Sequence, residues 1–460
     1  MINSIRFQNY LVKIYKKIIT FVKKIKNIIE DFKNIIKEIL PNEWEAFFKA
    51  LENEIPVSVR VNNKIDLVPS DDKITYCSSG YYIKSRPLFT LDPRFHAGAY
   101  YVQEAGSMYL EKVISEHIKN GQIVIDLCAA PGGKSTHLAN LVTKDSLLIC
   151  NEAMPNRANI LHENLCKWGR SEVMVCNNSA RDFGKLGAFA DIIVADVPCS
   201  GEGMFRKDEQ AVKDWSLEAV EHCAERAREI VSDVWDALKE DGIFIFSTCT
   251  FNRKENEENV EWICNELGAE LLESRHFYFH TDRSEGFFIA SMRKTSDAPK
   301  FKNLKTKPSK NSEYQDLLKE AENWAIVEKD TEIFAIPRRF EAEILHFASK
   351  LRVLKMGVKL GEKIENKKKI QFIPDTQLAL CKDINENNWD TAEIDRLTAL
   401  HYLKCESISL PEAPIGYVLL KYDGINLGWV KNIGNRCNNL YPDLWRIRMN
   451  IPEELCELPF

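Results

Sequence analysis

The sequence predicts an α/β chain built on a doubly wound parallel sheet, with smaller modules on both sides of it. Three observations carry that expectation. From Ile123 onward, short apolar runs alternate with amphipathic helical stretches, the pattern of parallel strands joined by crossover helices. A glycine-rich turn follows the first apolar run. The composition also changes on either side of the alternating region, before about residue 120 and after Lys294.

The chain's 460 residues exceed a single ordinary core, and its composition, 45% hydrophobic and 28% charged, is that of a globular protein. A net charge of −6 does not announce a nucleic-acid binder, although a whole-chain sum can hide a basic groove. The 13 cysteines are odd in number and contain no C-x-x-C pair, which argues against a zinc knuckle and against a secreted disulfide framework. No metal is expected. No uninterrupted apolar run reaches about 18 residues, the length of a membrane span, so the expected location is cytoplasmic.

In chain order, residues 1–40 are rich in Ile, Lys and Asn. Ile14, Ile18, Phe21, Ile25, Ile28, Phe32, Ile35 and Ile39 fall on one stripe of a long helix. Docking on the protein's own body is the expected use of that stripe; pairing with another helix or lying on a membrane surface are the alternatives. Residues 41–120 read as a small mixed module with a helix around Glu43–Glu54 and a strand at Val57–Val61. Within 121–294 the strand candidates are Ile123–Leu127, Ser146–Cys150, Asp191–Ala195 and Gly242–Ser247, with helices at Asn156–Lys167 and Ala219–Leu238. Residues 295–312 are polar and basic and read as an exposed linker. Two further small modules are expected at 313–390 and 391–460.

Asp126–Thr136 carries the glycine-rich turn. Small residues there let a ligand approach the backbone, and the helix that follows offers free N–H groups to an anionic group. Glu152 stands at the end of the next strand, twenty residues after Gly132, where a carboxylate can accept hydrogen bonds from ribose hydroxyls. Neither G-x-G-x-x-G nor a Walker A spacing is present. The pair of features favours an adenosyl ligand over a nicotinamide cofactor; a structural turn with a surface Glu is the plainer alternative.

Two strand candidates run directly into thiols, one into Asp196-Val197-Pro198-Cys199 and the other into Ser247-Thr248-Cys249. In an open doubly wound sheet, ligands sit beyond the carboxyl ends of the strands, so sequence order alone puts both cysteines and Asp196 beside the cofactor crevice. Cysteine is among the most buried residue types and usually inert, and Cys150, Cys166, Cys176, Cys223 and Cys264 are read that way. A thiolate has a specific use here. Carbon 5 of cytosine is a poor nucleophile until a thiolate adds to carbon 6 and turns the ring into an enamine. Cys249 is the candidate nucleophile, Asp196 the carboxyl group that stabilises the adduct, and Cys199 a candidate for assisting release.

These residues resemble the NOL1/NOP2/sun family of RNA 5-methylcytidine methyltransferases, and within it the RsmF type. The likeness rests on Asp126–Thr136, Asn151-Glu152, Asp196–Phe205, Ser247–Phe251, Ser58–Asn62, Tyr101–Glu104, Glu285–Phe288 and, near the C-terminus, Gly428–Lys431 with Gly434-Asn435-Arg436. It implies a Rossmann-like methyltransferase core at 121–294, an N-terminal RNA-binding module at 41–120 and a PUA-like RNA-binding module at 391–460. It implies S-adenosylmethionine as cofactor, with contacts from Cys128, Ala129, Ala130, Pro131, Gly132, Gly133, Lys134, Glu152 and Asp196. It also implies Cys249 as nucleophile, Cys199 as the release residue, small-subunit ribosomal RNA as partner and a monomeric enzyme. Where relatives carry an Asp near the adenine, this chain has Asn177-Asn178-Ser179; Ser179 is the expected contact, with Asp182 as substitute. Trp429, Tyr441 and Trp445, interleaved with Lys431, Arg436, Arg446 and Arg448, suit stacking and phosphate contact on RNA, or else form core and solvated face. A transfer-RNA substrate and a non-catalytic assembly factor remain the competing functions. A degenerate factor would be expected to lose a cysteine or the glycine-rich turn, and this chain keeps both.

Overall fold

The computed structural model describes residues 30–460 apart from 303, 305–308, 310, 311, 367, 368, 456 and 459. The part of the N-terminal stripe from Ile14 to Ile28 lies outside the described residues. Helix α1, Glu30–Ile39, buries Phe32 and Ile36. The Phe32 ring meets Phe47 and Phe48 of α2 (Trp44–Ala50), and also Phe205 and Trp215, at centroid separations of 5.0 to 6.4 Å. Burying one such ring contributes roughly 1.5–3 kcal/mol. The described end of the stripe is therefore packed on the protein's own body. Phe32 does this together with Ile36, a residue outside the predicted stripe.

Strands β1 (Val57–Val61), β2 (Gly80–Ile83) and β3 (Tyr100–Val102) form a three-stranded antiparallel sheet in the order β2-β1-β3. The short helix α3, Leu110–Ile114, leads from it into the core.

The core sheet has eight strands: β4 (Ile123–Asp126), β5 (Leu147–Asn151), β6 (Val173–Cys176), β7 (Ala190–Asp196), β8 (Leu238–Thr248), β9 (Ala269–Phe277), β10 (Phe287–Lys294) and β13 (Val353–Met356), in the order β13-β6-β5-β4-β7-β8-β10-β9. Strands β4 to β8 are parallel; β10, β9 and β13 are antiparallel to their neighbours. Because side chains alternate across a strand, Ile123 and Ile125 enter one buried layer. In it they pack with Phe244 and Phe246 against α6 (Leu217–Trp235), α7 (Glu257–Leu267) and α8 (Glu341–Lys350). Val124, Leu148, Val194 and Ile245 enter the opposite layer, against α3, α4 (Gly133–Leu141) and α5 (Pro155–Trp168). Both faces are covered, which explains why these strands read as continuous apolar runs.

Three differences from the sequence-based expectation have physical causes. Strand β6, between the predicted second and third strands, has only two β-branched residues, Val173 and Val175, and so a weaker strand signal than the equally short β4 with three. Strand β13 comes from beyond residue 312 and pairs with the exposed edge of β6, so the predicted module at 313–390 is continuous with the core sheet; an unpaired edge would leave backbone groups unsatisfied. The predicted linker is partly packed: Ala188 N–H donates to the Pro299 carbonyl at 2.9 Å, and Phe301 lies 5.5 Å from Phe189.

The C-terminal part holds two four-stranded sheets. One comprises β11 (Trp324–Lys329), β12 (Glu332–Pro337), β14 (Val358–Asn366) and β15 (Lys369–Pro374); the other β16 (Asp390–Glu393), β17 (Gly416–Tyr422), β18 (Ile425–Asn432) and β19 (Cys437–Asn439). Leu419 and Trp429 of the second share a buried cluster with Trp324, Ala335 and Val358 of the first. Trp429 is fully buried and Tyr441 nearly so, which corrects the expectation that they stack on RNA: their rings are core, and of the three aromatics only Trp445 stays partly accessible. The last residue reaches back to the N-terminal module, where the Phe460 carbonyl accepts from Arg94 Nη2 at 2.7 Å. Among the described residues no helix is long and apolar enough to cross a membrane.

Candidate active site

The order of the parallel strands reverses on the two sides of β4, and the crevice beyond the carboxyl ends of β4, β7 and β8 is where such a sheet binds ligands. The structure places Asp126, Asp196 and Cys249 at these three strand ends.

The glycine-rich turn leaves β4 and enters α4. Gly132 has φ +120°, a conformation that side chains rarely adopt. Four groups hold the turn from outside: Arg157 Nη2 donates to the Ala130 carbonyl at 2.7 Å, Asn164 Nδ2 to that of Pro131 at 2.7 Å, the Ala129 N–H to that of Asn151 at 2.8 Å, and Arg60 Nη2 to that of Gly133 at 3.3 Å. Arg60 is wholly buried, comes from β1, and also reaches Thr136 Oγ1 and Gln103 Oε1. Burial lowers its guanidinium to about 10. It thus ties the N-terminal module to the turn, a role that its place in a matching motif did not reveal.

The residues fit an adenosyl ligand. The Asp126 carboxyl is fully buried with Ser135 Oγ donating to one oxygen at 2.6 Å; its other oxygen is buried without a partner, and burial raises the group to about 7. Such an orphaned acceptor beneath the crevice is suited to a ligand ammonium or hydroxyl. Glu152 is buried just beyond β5. One of its oxygens accepts from Met154 N–H at 2.8 Å, and the other lies 3.4 Å from Arg157 Nη1. Asn151 stitches the neighbouring strand ends, donating to the Leu127 and Asn178 carbonyls. Cys128 lies in the turn, its thiol pushed up by burial. Ser179 is exposed at the start of the short helix Ala180–Gly184, and its hydroxyl donates to Asp182 at 2.8 Å. The two candidates for the adenine side therefore form one capping pair.

At the other side of the crevice, Lys134 Nζ stands 2.9 Å from Asp196 Oδ1, and Ser247 Oγ donates to the same oxygen at 2.7 Å. Lys134 thereby links the cofactor turn to the carboxylate at the end of β7. The Cys199 and Cys249 sulfurs are 3.1 Å apart, and the Cys249 N–H points at the Cys199 sulfur at 3.3 Å. The neighbouring thiol, then burial, push Cys199 well above the ordinary thiol range. Both cysteines are half-buried, as are Cys223 and Cys264, whereas Cys150, Cys166 and Cys176 are fully buried; the twelve described cysteines are all free.

What aligns the two thiols is a buried carboxylate, Glu202. It accepts from Trp215 Nε1, Thr250 Oγ1, Phe251 N, Asn252 N and Asn252 Nδ2 at 2.5 to 3.0 Å, so the segment after Cys249 is wrapped around one residue of the segment after Cys199. Such donors are what a buried carboxylate requires. Glu255 does the reciprocal work, accepting from Ser200 N at 2.8 Å and from Asn252 Nδ2 at 2.6 Å; burial raises it to about 7. Backbone contact completes the clasp: Gly203 N–H donates to the Cys249 carbonyl at 2.8 Å. Neither Glu was singled out as a site residue, because nothing local in the sequence marks an acidic side chain as buried.

Comparison with known proteins places the chain among methyltransferases. The 16S rRNA methyltransferase RsmB/F family matches residues 113–293, the N-terminal domain of 16S rRNA methyltransferase RsmF residues 28–105, and the RsmF PUA domain residues 390–447. The ribosomal RNA small subunit methyltransferase F of Enterobacter sp. (strain 638) is 30% identical over 459 residues, covering 88% of this chain and 93% of the relative. Its counterpart in Escherichia coli O157:H7 is 28% identical, covering 88% and 94%. Among solved structures, a methyltransferase homolog protein from Pyrococcus horikoshii superimposes with a TM-score of 0.51 at 25% identity, over 60% of this chain and 99% of that one.

Proposed function

This chain belongs to the 16S rRNA methyltransferase RsmB/F family, and from that premise we propose that it methylates carbon 5 of a cytidine in small-subunit ribosomal RNA through a covalent adduct on Cys249. It is an S-adenosylmethionine-dependent rRNA methyltransferase. The observation that carries the finer reading is the pair of thiols 3.1 Å apart at the ends of adjacent strands, beside a carboxylate held by Lys134 and Ser247.

When bound, S-adenosylmethionine supplies an electrophilic methyl group on a sulfonium; Asp126, Gly132, Gly133, Lys134 and Glu152 are the residues that would hold it. The Cys249 thiol gives its proton to solvent as its sulfur adds to carbon 6 of the cytosine, and the 5,6 electron pair moves through the ring towards nitrogen 3, which takes up a proton delivered through the Asp196 carboxyl. Carbon 5 would then take the methyl group as the methyl–sulfonium bond breaks, its electron pair staying on the cofactor sulfur as a neutral thioether, and nitrogen 3 would return its proton to Asp196. The carbon 5 proton then passes to solvent, and the electron pair left behind restores the 5,6 double bond as the bond from carbon 6 to the Cys249 sulfur breaks. Cys199, whose thiol keeps its proton, donates a hydrogen bond to the departing Cys249 sulfur. The accessible Lys and Arg side chains near the C-terminus contact RNA phosphates, and the enzyme acts as a monomer in the cytoplasm.

Transfer of labelled methyl to unmodified small-subunit particles, free small-subunit RNA and bulk transfer RNA, followed by nucleoside mass spectrometry, tests the substrate. 5-Methylcytidine in the ribosomal samples alone is expected; label on transfer RNA moves the substrate, and none anywhere overturns the proposal. Cys249→Ala should abolish transfer while the protein stays folded. Cys199→Ala should accumulate a protein–RNA adduct that survives a denaturing gel, and its absence removes Cys199 from the release step.

A further inference from the structure

Around His137 of α4, three side chains of metal-ligating type converge from separate parts of the chain. Cys77 sits in the turn before β2, Glu111 on α3 and His137 on α4. The Cys77 sulfur lies 3.6 Å from His137 Nε2, and Glu111 Oε2 lies 3.0 Å from the same nitrogen. One ligand atom from each lies within 4.8 Å of the others. Cys77 and His137 are buried and Glu111 is half-buried. The other Glu111 oxygen accepts from Ser78 N–H at 2.9 Å, so the turn that carries Cys77 also orients the carboxylate. Gly80 keeps the space open, since a Cβ there would come 3.1 Å from the Cys77 sulfur.

Protons alone serve this arrangement poorly. A neutral imidazole has one mobile ring proton. If Nε2 carries it, that N–H donates to Glu111 and the thiol has no ring acceptor; if Nδ1 carries it, the bare Nε2 faces a carboxylate oxygen at 3.0 Å. Nδ1 itself is buried without a partner in either case.

A cation at the centre would accept all three lone pairs. With zinc–sulfur and zinc–nitrogen bonds of about 2.3 and 2.05 Å, a tetrahedral centre sets sulfur and nitrogen about 3.6 Å apart and nitrogen and oxygen about 3.3 Å apart; the observed 3.6 and 3.0 Å need only a small adjustment. Thiolate and carboxylate together would neutralise a divalent ion, and a Cys–His–Glu set suits zinc over magnesium or calcium. We propose that Cys77, Glu111 and His137 form a zinc-binding site that staples the N-terminal module to the helix following the glycine-rich turn, with the fourth position left to water.

The test uses the full-length protein, stripped with a chelator, given an equivalent of zinc, desalted and analysed for metal. Zinc is expected to remain with the wild type and with a Cys199→Ser, Cys249→Ser double variant, and to be lost from Cys77→Ser and His137→Gln. Glu111→Gln, on the least buried partner, should weaken zinc binding at least tenfold while circular dichroism stays unchanged. Cobalt(II) loading should give a thiolate charge-transfer band in the wild type that Cys77→Ser lacks. A wild type that leaves the column without zinc, or equal retention by Cys77→Ser, overturns the proposal.

Discussion

At the scale of single residues, the site depends on which of many similar side chains is placed where. Thirteen cysteines look alike in composition; Cys249 is the first residue after β8 and Cys199 the third after β7, and both strands end at the crevice. The acidic residues divide in the same way. Glu202 and Glu255 are buried among donors supplied by the two cysteine segments, whereas most of the chain's carboxylates are solvated. Glu255 leads to a pH prediction. Its folded-state value of about 7 lies above the ordinary carboxyl value of 4.5, so its favourable contribution is present in full below about pH 4.5 and is lost as pH rises through 7. Wild type should therefore lose stability relative to Glu255→Gln between pH 4.5 and 7, by at most about 3 kcal/mol at 1.36 kcal/mol per unit, with a flat difference above that. Urea denaturation of both proteins across the range checks it; a difference that does not vary with pH would place the titration elsewhere.

At the scale of elements, the two cysteine segments meet a third, Glu285–Phe288, through a glycine contact. A Cβ at Gly286 would stand 2.2 Å from Phe251 Cζ and 2.7 Å from Gly203 Cα, and one at Gly203 would stand 2.4 Å from the Gly286 carbonyl oxygen. Phe251 is itself wedged against Phe47, Tyr278 and Phe279, so it has nowhere to yield. Gly286→Ala should cost about 1–3 kcal/mol of stability, as overpacking does, and reduce methyl transfer by more than the unfolded fraction explains, because the displaced segment carries Cys249. Thermal melts paired with single-turnover methyl transfer separate the two effects. The same scale shows where periodicity misleads. The helical stripe included Phe32, but after it the strict alternation of fours and threes took the half-buried Ile35, whereas Ile36, four residues on, is the one buried beside Phe32.

For the whole molecule, the chain closes on itself: the C-terminal module packs Leu400 and Val418 against Leu91 and Ala97 of the N-terminal module, and Arg396 donates to the Leu91 carbonyl at 2.9 Å. With Trp429 and Tyr441 buried in this arrangement, the basic side chains are the groups there that remain open to RNA, Arg436, Arg446 and Arg448 being exposed and Lys431 half-exposed. RNA affinity should fall steeply with salt despite the net charge of −6, because released counterions and not the charge sum set the response. Replacing Lys431 and Arg436 by Gln should weaken binding and flatten the slope of log affinity against log salt by about 1 to 2, as filter binding at several salt concentrations would measure. An unchanged slope would move the RNA path to another face.

The sequence by itself determined the class of sheet, its direction of winding, and the chemistry gathered at its carboxyl ends. These follow from local facts: apolar runs need cover on both faces, a glycine-rich turn follows the first strand, and the residue after a strand's last is carried to the crevice. Only the tertiary structure decided the partners. It brought the two sulfurs to 3.1 Å, buried Glu202 between their segments, placed Arg60 of the first module on the turn of the second, and sent β13 back to close the edge of β6. Each of these joins residues tens to hundreds of positions apart. Burial and pairing depend on what lies opposite in space, and neither the spacing nor the type of a residue encodes that.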